Sequence, residues 1–550
     1  MSAADDSLAR VLNAPPIVAS FLERAEAAPA KPLLGRIEGD GTCWSTYGEI
    51  SALAAAAASF LQERGIRRGD HVAVVAGNSA AWLALDLALA CKGAVSVPLA
   101  PNLPIEALAE LLRRSDARLA VFQSTDAANA IGRAPGISFG VAAISQMAPR
   151  DMEISSDAAT KAARELRERL ALQPPKDRDS LATILFTSGT AGPPKGVMLS
   201  HANLATNTAG KIAAHGFDGG ERRLGVLPWH HVFGRVCDLY VSVVTGAPLV
   251  IGRGRESLLR DLQIASPSYL NATPYFFNKL AKSTGQSLRD LTGGRLAACL
   301  SGGAPLPEPT QQAFWDAGIP LYQGYGMTEA SPVIADCTPH AYKRGTIGHP
   351  IPGVEIRLDE DGELLTRGPH VMLGYYRDDT ATAAAIKHGW LHTGDLAEMD
   401  AGGFLRVVGR KKEMIALATG LKVSPSNVEA AITADPLFAQ AVVFGEGSNF
   451  VVALLALDTD EAARLGPANI EKVAQRLSQA TQRLSRHERP QYFATLEEPL
   501  SLERGELTAK GSVRRDIVRQ RHAGRIQRLL EGFEGGPAHF SGSSAAVTQG

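Results

Sequence analysis

The sequence predicts an α/β protein: a large N-terminal domain of mainly parallel sheets with flanking helices, a β-rich subdomain, and a small α+β C-terminal domain. Three observations lead there. Residues 48–125 alternate amphipathic or apolar helical stretches with short apolar runs, and residues 224–300 repeat that alternation. After Gly353 the texture becomes turn-rich and alternating, as antiparallel strands require. Past Gly409 a smaller unit carries strands and helices of its own.

The elements follow in order. "YGEISALAAAAASFLQERGI" is apolar on one helical face, and "HVAVVAG" is a buried strand. "SAAWLALDLALACKGA" is a helix and "VSVPLA" a strand; "PIEALAELLRRSDA" and "RLAVFQ" repeat the pair. Short continuous apolar strands between helices indicate parallel sheet covered on both faces. "KAARELRERLALQPPKDRDS" reads as a surface helix and linker leading to the apolar run "LATILF". Then "RLGVLPW", "APLVIG", "SYLNATP" and "LAACLSGG" supply further strands. "VEIRLDEDGELLTRGPHVMLGYY" and "GWLHTGDLAEMDAGGFLRVVGR" are the antiparallel part. Strands "QAVVFG" and "FVVALLALD" with helices "SNVEAAITA" and "NIEKVAQRLSQATQRLSRH" form the C-terminal unit. "GGPAHFSGSSAAVTQG" is small and polar, and disorder is expected. No fixed-period repeat is visible.

Composition narrows the function classes. At 550 residues the chain exceeds one compact core, so two to four domains are expected. A formal net charge of −1 gives no basic excess for nucleic acid or an anionic membrane. Cys43, Cys91, Cys237, Cys299 and Cys337 are scattered, without a CxxC pair, which suits free thiols in a reducing compartment. The N-terminus has neither a basic start nor an apolar core, so no secretion signal is read and a cytoplasmic location is expected. The most apolar span, "AAWLALDLALACKGAVSVPLA", carries Asp86 and Lys92; it reads as a buried helix and strand, not a membrane span.

The loop "TSGTAGPPKG", 187–196, follows a strand and packs hydroxyls, glycines and one lysine together. Such a loop can surround phosphate with N–H groups, hydroxyls and an ammonium, or can be an ordinary turn. It is not a Walker A loop, because Lys195 follows Pro194 and precedes Gly196. The chain has no GxGxxG, GxSxG or HExxH motif among its thirteen histidines or elsewhere.

The loop resembles the phosphate loop of the adenylate-forming superfamily, which includes acyl-CoA synthetases, luciferases and peptide-synthetase adenylation domains. Other blocks follow in that superfamily's order. "LPWHHVFG" (227–234) is similar to its acid-pocket motif, "SGGAPLP" (301–307) and "YQGYGMTEAS" (322–331) to its adenine and magnesium motifs. "GWLHTGDLAEMD" (389–400) resembles the ribose motif, "GRKKEMI" (409–415) the hinge, and "ELTAKGSVRRDIV" (506–518) the segment with the C-terminal catalytic lysine. The likeness runs from about residue 45 to about 530. It implies a domain over 1–408, a hinge at 409–412, a mobile domain over 413–532 and a tail over 533–550.

The resemblance also implies roles. Thr187, Ser188, Gly189, Thr190, Gly192 and Lys195 would hold the β- and γ-phosphates of ATP. Gly303, Ala304 and Pro305 would face adenine opposite Tyr325, within a run that includes Gly324, Gly326 and Thr328. Asp395 would accept the ribose hydroxyls, and Arg410 would hold ribose or phosphate. Glu329, with Thr187, would bind Mg²⁺, which prefers hard oxygen ligands. His231, Phe233, Gly234 and Gly302 would form the acid pocket. Lys510 would draw carboxylate and α-phosphate together as charge develops. Lys412 would mark the hinge whose rotation withdraws Lys510 and presents a face near Gly420 to the thiol of CoA.

Read from the residues alone, several positions have plainer explanations. Asp395 would be a turn residue in "TGDL", Tyr325 a core aromatic, and Lys411 a solvated member of the run "RKKE". The sequence departs from the family at Ala191, where a hydroxyl is usual, at Arg235, where aliphatic residues are common, and along "ALATGLKVSPSNVE". Arg235 is expected to pair with Asp238 three residues on along a helix; the sharper reading has it contact CoA or a polar group of the acid.

Resemblance therefore implies an ATP- and Mg²⁺-dependent ligase that joins a carboxylic acid to CoA. The texture is closest to fatty-acyl-CoA synthetases, with a hydrophobic acid of medium to long chain or a bulky ring acid. Loading of a carrier protein is the second reading, and a nucleotide-binding regulator without turnover the third. Family members occur as monomers and homodimers.

Overall fold

The computed structural model describes residues 3–132, 140–146, 177–187, 193–254, 256–283, 285–465, 470–501, 503–507 and 513–532. The expected surface helix and linker lie mostly outside these residues, as do the tail over 533–550, four loop positions (Ser188, Gly189, Thr190, Gly192) and Lys510.

The first alternating run folds as its pattern dictates. Helix Tyr47–Glu63 begins with a capping box, Thr46 and Glu49 satisfying each other's backbone N–H. Helix Ala80–Lys92 starts at the Ser79 cap and stops at Gly93, whose φ of 65° suits glycine. The strands build a seven-stranded sheet ordered 374–375, 195–200, 181–187, 95–99, 71–75, 117–122, 140–143. Its centre is parallel, while Leu181–Thr187 and Lys195–Ser200 pair antiparallel.

The second run enters a nine-stranded sheet with Tyr269–Ala272, Ala298–Ser301 and Leu321–Gly326 side by side in parallel. The strand expected in "RLGVLPW" is only Arg223–Gly225. Sequence reading began its elements near residue 45 and missed what precedes. Helix Ile17–Ala27 buries Ile17, Val18, Phe21, Leu22 and Ala25, and hairpin 32–46 closes one edge of the large sheet.

After Gly353 the strands Glu355–Leu358, Glu363–Arg367, Trp390–Met399 and Leu405–Arg410 pair antiparallel, as the turn-rich pattern predicts. The last part has a three-stranded sheet of Phe438–Phe444, Val452–Leu457 and Tyr492–Thr495. Its apolar side chains pack into two clusters drawn only from residues beyond 414. Among the described residues, no helix is long and apolar enough to cross a membrane, and all five cysteines are free thiols.

Candidate active site

Strand pairing sets the loop first. Thr187 lies opposite Lys195, so the segment between them is the connection of an antiparallel pair. Gly196 follows because a methyl there would stand 2.9 Å from Ile184 and 3.2 Å from Tyr376. The edge strand Gly374–Tyr375 then pairs with Val197 and Met198.

That edge strand brings in Tyr375, which sequence reading did not single out. Lys195 Nζ sits 4.8 Å from the Tyr375 ring centroid, and the Tyr375 hydroxyl donates to Glu329 Oε1 at 2.9 Å. Glu329 lies in the short 3₁₀ turn Thr328–Ala330, anchored by the Met372 N–H donating to the Glu329 carbonyl at 2.9 Å. The loop lysine and the expected magnesium ligand thus flank one tyrosine. Carboxylate and hydroxyl oxygens at Glu329 and Thr187 are the hard donors Mg²⁺ requires, so this donor set fits the ion.

The nucleotide residues converge from two sheets. Asp395 is on strand Trp390–Met399, not in a turn, and stands opposite Arg410 in the register. It is 4% exposed. Arg410 Nε lies 3.1 Å from its Oδ1, and the Tyr325 hydroxyl donates to its Oδ2 at 2.5 Å. Burial pushes the Asp395 carboxyl up, while Arg410 and the Tyr325 hydrogen bond pull it back. The negative charge of Glu329 is also felt at Asp395 and Arg410, which places the two groups in one field.

Glycine has separate reasons along the adenine segment. Gly303 has φ of 85° and nothing near where a side chain would start, so its upper surface is open. Gly324 and Gly326 are required by the protein itself: a methyl would strike the Asp336 carboxylate at the first and the Pro332 carbonyl at the second. Asp336 is held there by Lys211 Nζ at 2.5 Å and His215 Nε2 at 3.2 Å, all three side chains buried.

The acid segment forms a tight corner. Gly234 admits no side chain, since a methyl would lie 2.7 Å from the Pro228 carbonyl. Phe233 packs against Gly302, where a methyl would meet its ring at 3.1 Å. His231 precedes this corner with its ring centroid 4.5 Å from that of His230. Gly302 adjoins Gly303, Ala304 and Pro305, so the acid corner borders the adenine segment.

Three expectations need correction. Arg235 does not pair with Asp238. Residues Arg235–Tyr240 form a π-helical turn, which breaks the three-residue spacing, and Arg235 pairs with Asp86 instead. Asp238 accepts from Asn271 Nδ2 at 2.6 Å. Arg235 is 2% exposed, which leaves no face for CoA. Lys411 is not merely solvated: at 44% exposure its Nζ holds Asp361 and, at 2.9 Å, Glu363. Lys412 is exposed in the turn after strand Leu405–Arg410, and Gly420, with φ of 81°, is exposed in a later turn.

Comparison with known proteins gives the family and the fold. The AMP-binding enzyme model matches residues 21–376, and the AMP-binding enzyme C-terminal domain model matches residues 412–534. The chain belongs to the AMP-binding enzyme family. It is 30% identical to a long-chain-fatty-acid–CoA ligase of Mycobacterium bovis, over 89% of this chain and 92% of that one. It is also 30% identical to a feruloyl-CoA synthase of Amycolatopsis, over 73% of this chain and 80% of that one. Among solved structures, ATP-bound MatB of Rhodopseudomonas palustris superposes with a TM-score of 0.74 at 25% identity, covering 92% and 99% of the two chains. The AMP complex of Bacillus subtilis o-succinylbenzoate coenzyme A synthetase shares the fold, with a TM-score of 0.74 at 24% identity over 91% and 97%.

Proposed function

We propose that this AMP-binding enzyme is an ATP-dependent, AMP-forming acid–CoA ligase acting on a hydrophobic carboxylic acid. The observation that carries the reading is the Tyr325–Asp395–Arg410 cradle beside Glu329 and Lys195, in a chain similar over 89% of its length to a long-chain-fatty-acid–CoA ligase.

A carboxylate is a poor acyl donor because it repels nucleophiles and oxide does not leave. Attack of its oxygen on the α-phosphorus of ATP forms the acyl–AMP anhydride and releases pyrophosphate. Tyr325 lies against the base, Asp395 accepts from the ribose hydroxyls, and Arg410 holds ribose or phosphate. Lys195 with Thr187, Ser188 and Thr190 takes the outer phosphates; Gly189 and Gly192 let the backbone approach. Glu329 and Thr187 would hold Mg²⁺, which when bound would neutralise phosphate charge. His231, Phe233, Gly234 and Gly302 shape the acid corner. Lys510 neutralises the charge shared by carboxylate and α-phosphate. The segment 409–412 then acts as a hinge that withdraws Lys510 and brings the face near Gly420 to the site. The CoA thiol attacks the acyl carbon, loses its proton and displaces AMP.

Free thiols throughout support a cytoplasmic location. The test is a screen of fatty, aromatic and polycyclic acids with ATP, Mg²⁺ and either CoA or a holo carrier protein. Acyl-CoA and AMP in equal amounts with hydrophobic acids support the reading. Acyl transfer to the carrier alone would move the acceptor, and no acid-dependent AMP with any acid would refute ligase activity.

A further inference from the structure

Arg235 occupies a position the proposed mechanism does not use, yet it is among the largest fully buried side chains of the protein. Its three nitrogens serve three different elements. Nε donates to the Tyr240 hydroxyl at 2.6 Å, Nη1 donates to Thr183 Oγ1 at 2.9 Å, and Nη2 pairs with the Asp86 carboxylate. Tyr240 closes the circuit by donating to Asp86 Oδ2 at 2.7 Å. The Thr183 hydroxyl in turn donates a hydrogen bond to the Ser96 carbonyl at 2.8 Å. The guanidinium lies 5.3 Å from the Trp82 ring, and Trp82 packs edge-on against Trp229.

The elements so joined carry the site. Thr183 is on Leu181–Thr187, the strand that runs into the phosphate loop. Asp86 is on the buried helix Ala80–Lys92. Arg235 itself begins the π-helical turn Arg235–Tyr240, directly after His231, Phe233 and Gly234. In an α-helix, side chains five positions apart point roughly 140° away from each other, at about 100° per residue. The π-turn widens the helix, so Arg235 and Tyr240 reach the same carboxylate. A buried ion pair contributes little net stability against apolar groups of similar volume, but it fixes one arrangement where several could pack. The cavity beside the cluster, lined by Asp86, Ser96, His201, Arg235 and Tyr240, has a volume of about 30 Å³. That is room for a water molecule and not for an acyl chain.

We propose that Arg235 is a positioning residue: with Asp86, Tyr240 and Thr183 it locks the π-turn onto the phosphate strand, and so fixes His231 and Phe233 at the acid corner. The assignment rests on the acid–CoA ligase reading. It predicts that loosening the lock moves the acid corner while the nucleotide cradle, built by Tyr325, Asp395 and Arg410, stays in place.

The test compares the full-length chain with Tyr240→Phe, which removes one oxygen from the lock, and with the pair Arg235→Met/Asp86→Asn, which removes both charges. Initial rates give KM for acid and for ATP separately, and near-ultraviolet circular dichroism reports the Trp82–Trp229 pair. In each folded variant the acid KM should rise at least fivefold, the ATP KM should stay within twofold, and the tryptophan bands should change while the far-ultraviolet spectrum holds. Should the double variant not fold, Tyr240→Phe decides alone. An acid KM within twofold of the parent, equal rises in both constants, or unchanged tryptophan bands in Tyr240→Phe would each overturn the proposal. If the parent activates no acid, the ligase reading fails instead, and the tryptophan bands of Tyr240→Phe still decide whether the lock exists.

Discussion

Asp395→Asn should weaken nucleotide binding without touching the acid. The carboxylate is buried between Arg410 Nε at 3.1 Å and the Tyr325 hydroxyl at 2.5 Å, and in the proposed role its remaining acceptor positions would take the ribose hydroxyls. A hydrogen bond to a charged group contributes about 1.5–3 kcal/mol. The amide keeps one carbonyl oxygen, so one such bond is lost, about 2 kcal/mol, or roughly 30-fold in Kd. The fold should tolerate the change. The Arg410 side chain is 49% exposed, so water replaces its lost partner, and Tyr325 still finds the amide oxygen. Titration calorimetry with AMP gives the Kd directly, and thermal unfolding checks the fold. A Kd within threefold of the parent in a folded variant would refute the assignment of Asp395 to ribose.

Other outcomes follow from the same geometry. Tyr375→Phe removes the 2.9 Å bond to Glu329 and should raise the Mg²⁺ concentration needed for half-maximal rate about three- to tenfold, measured by Mg²⁺ titration at saturating ATP. Gly302→Ala places a methyl 3.1 Å from the Phe233 ring, so rates across a chain-length series should shift toward slimmer or shorter acids; an unchanged series would contradict this corner. Burial holds His201 at about 4 and His370 at about 3, both below an unfolded histidine near 6.5. Between pH 6.5 and 4 the unfolded chain binds more protons than the folded one, so stability present above pH 6.5 is lost as pH falls. At pH 5 each histidine costs about 2 kcal/mol, which denaturant titrations at pH 7.5 and 5 would detect; equal midpoints would count against neutral burial.

Much of this was legible in the sequence because it is local. Apolar runs of strand length between amphipathic helices marked both parallel regions, and the turn-rich stretch after Gly353 marked the antiparallel one. The ordered motifs named Tyr325, Asp395 and Arg410, which meet in space. What escaped depends on distant pairing. The Arg235–Asp238 expectation assumed α-helical spacing, and the π-turn invalidates it. Asp86 is a charge in an otherwise apolar helix, and that is the usable signal: such a charge needs a buried partner, though sequence does not say which. Tyr375 acquires its place from an edge strand only two residues long, below what alternation can reveal. Helix Ile17–Ala27 precedes the first recognised motif, so its burial went unread.

The half-reactions of Lys510→Ala test the central claim most directly. Acid-dependent pyrophosphate–ATP exchange follows the first step, and conversion of supplied acyl-adenylate plus CoA follows the second. Exchange should fall at least about a hundredfold, with thioester formation kept within a few-fold of the parent. Equal loss in both steps, or full exchange without the lysine, would contradict it.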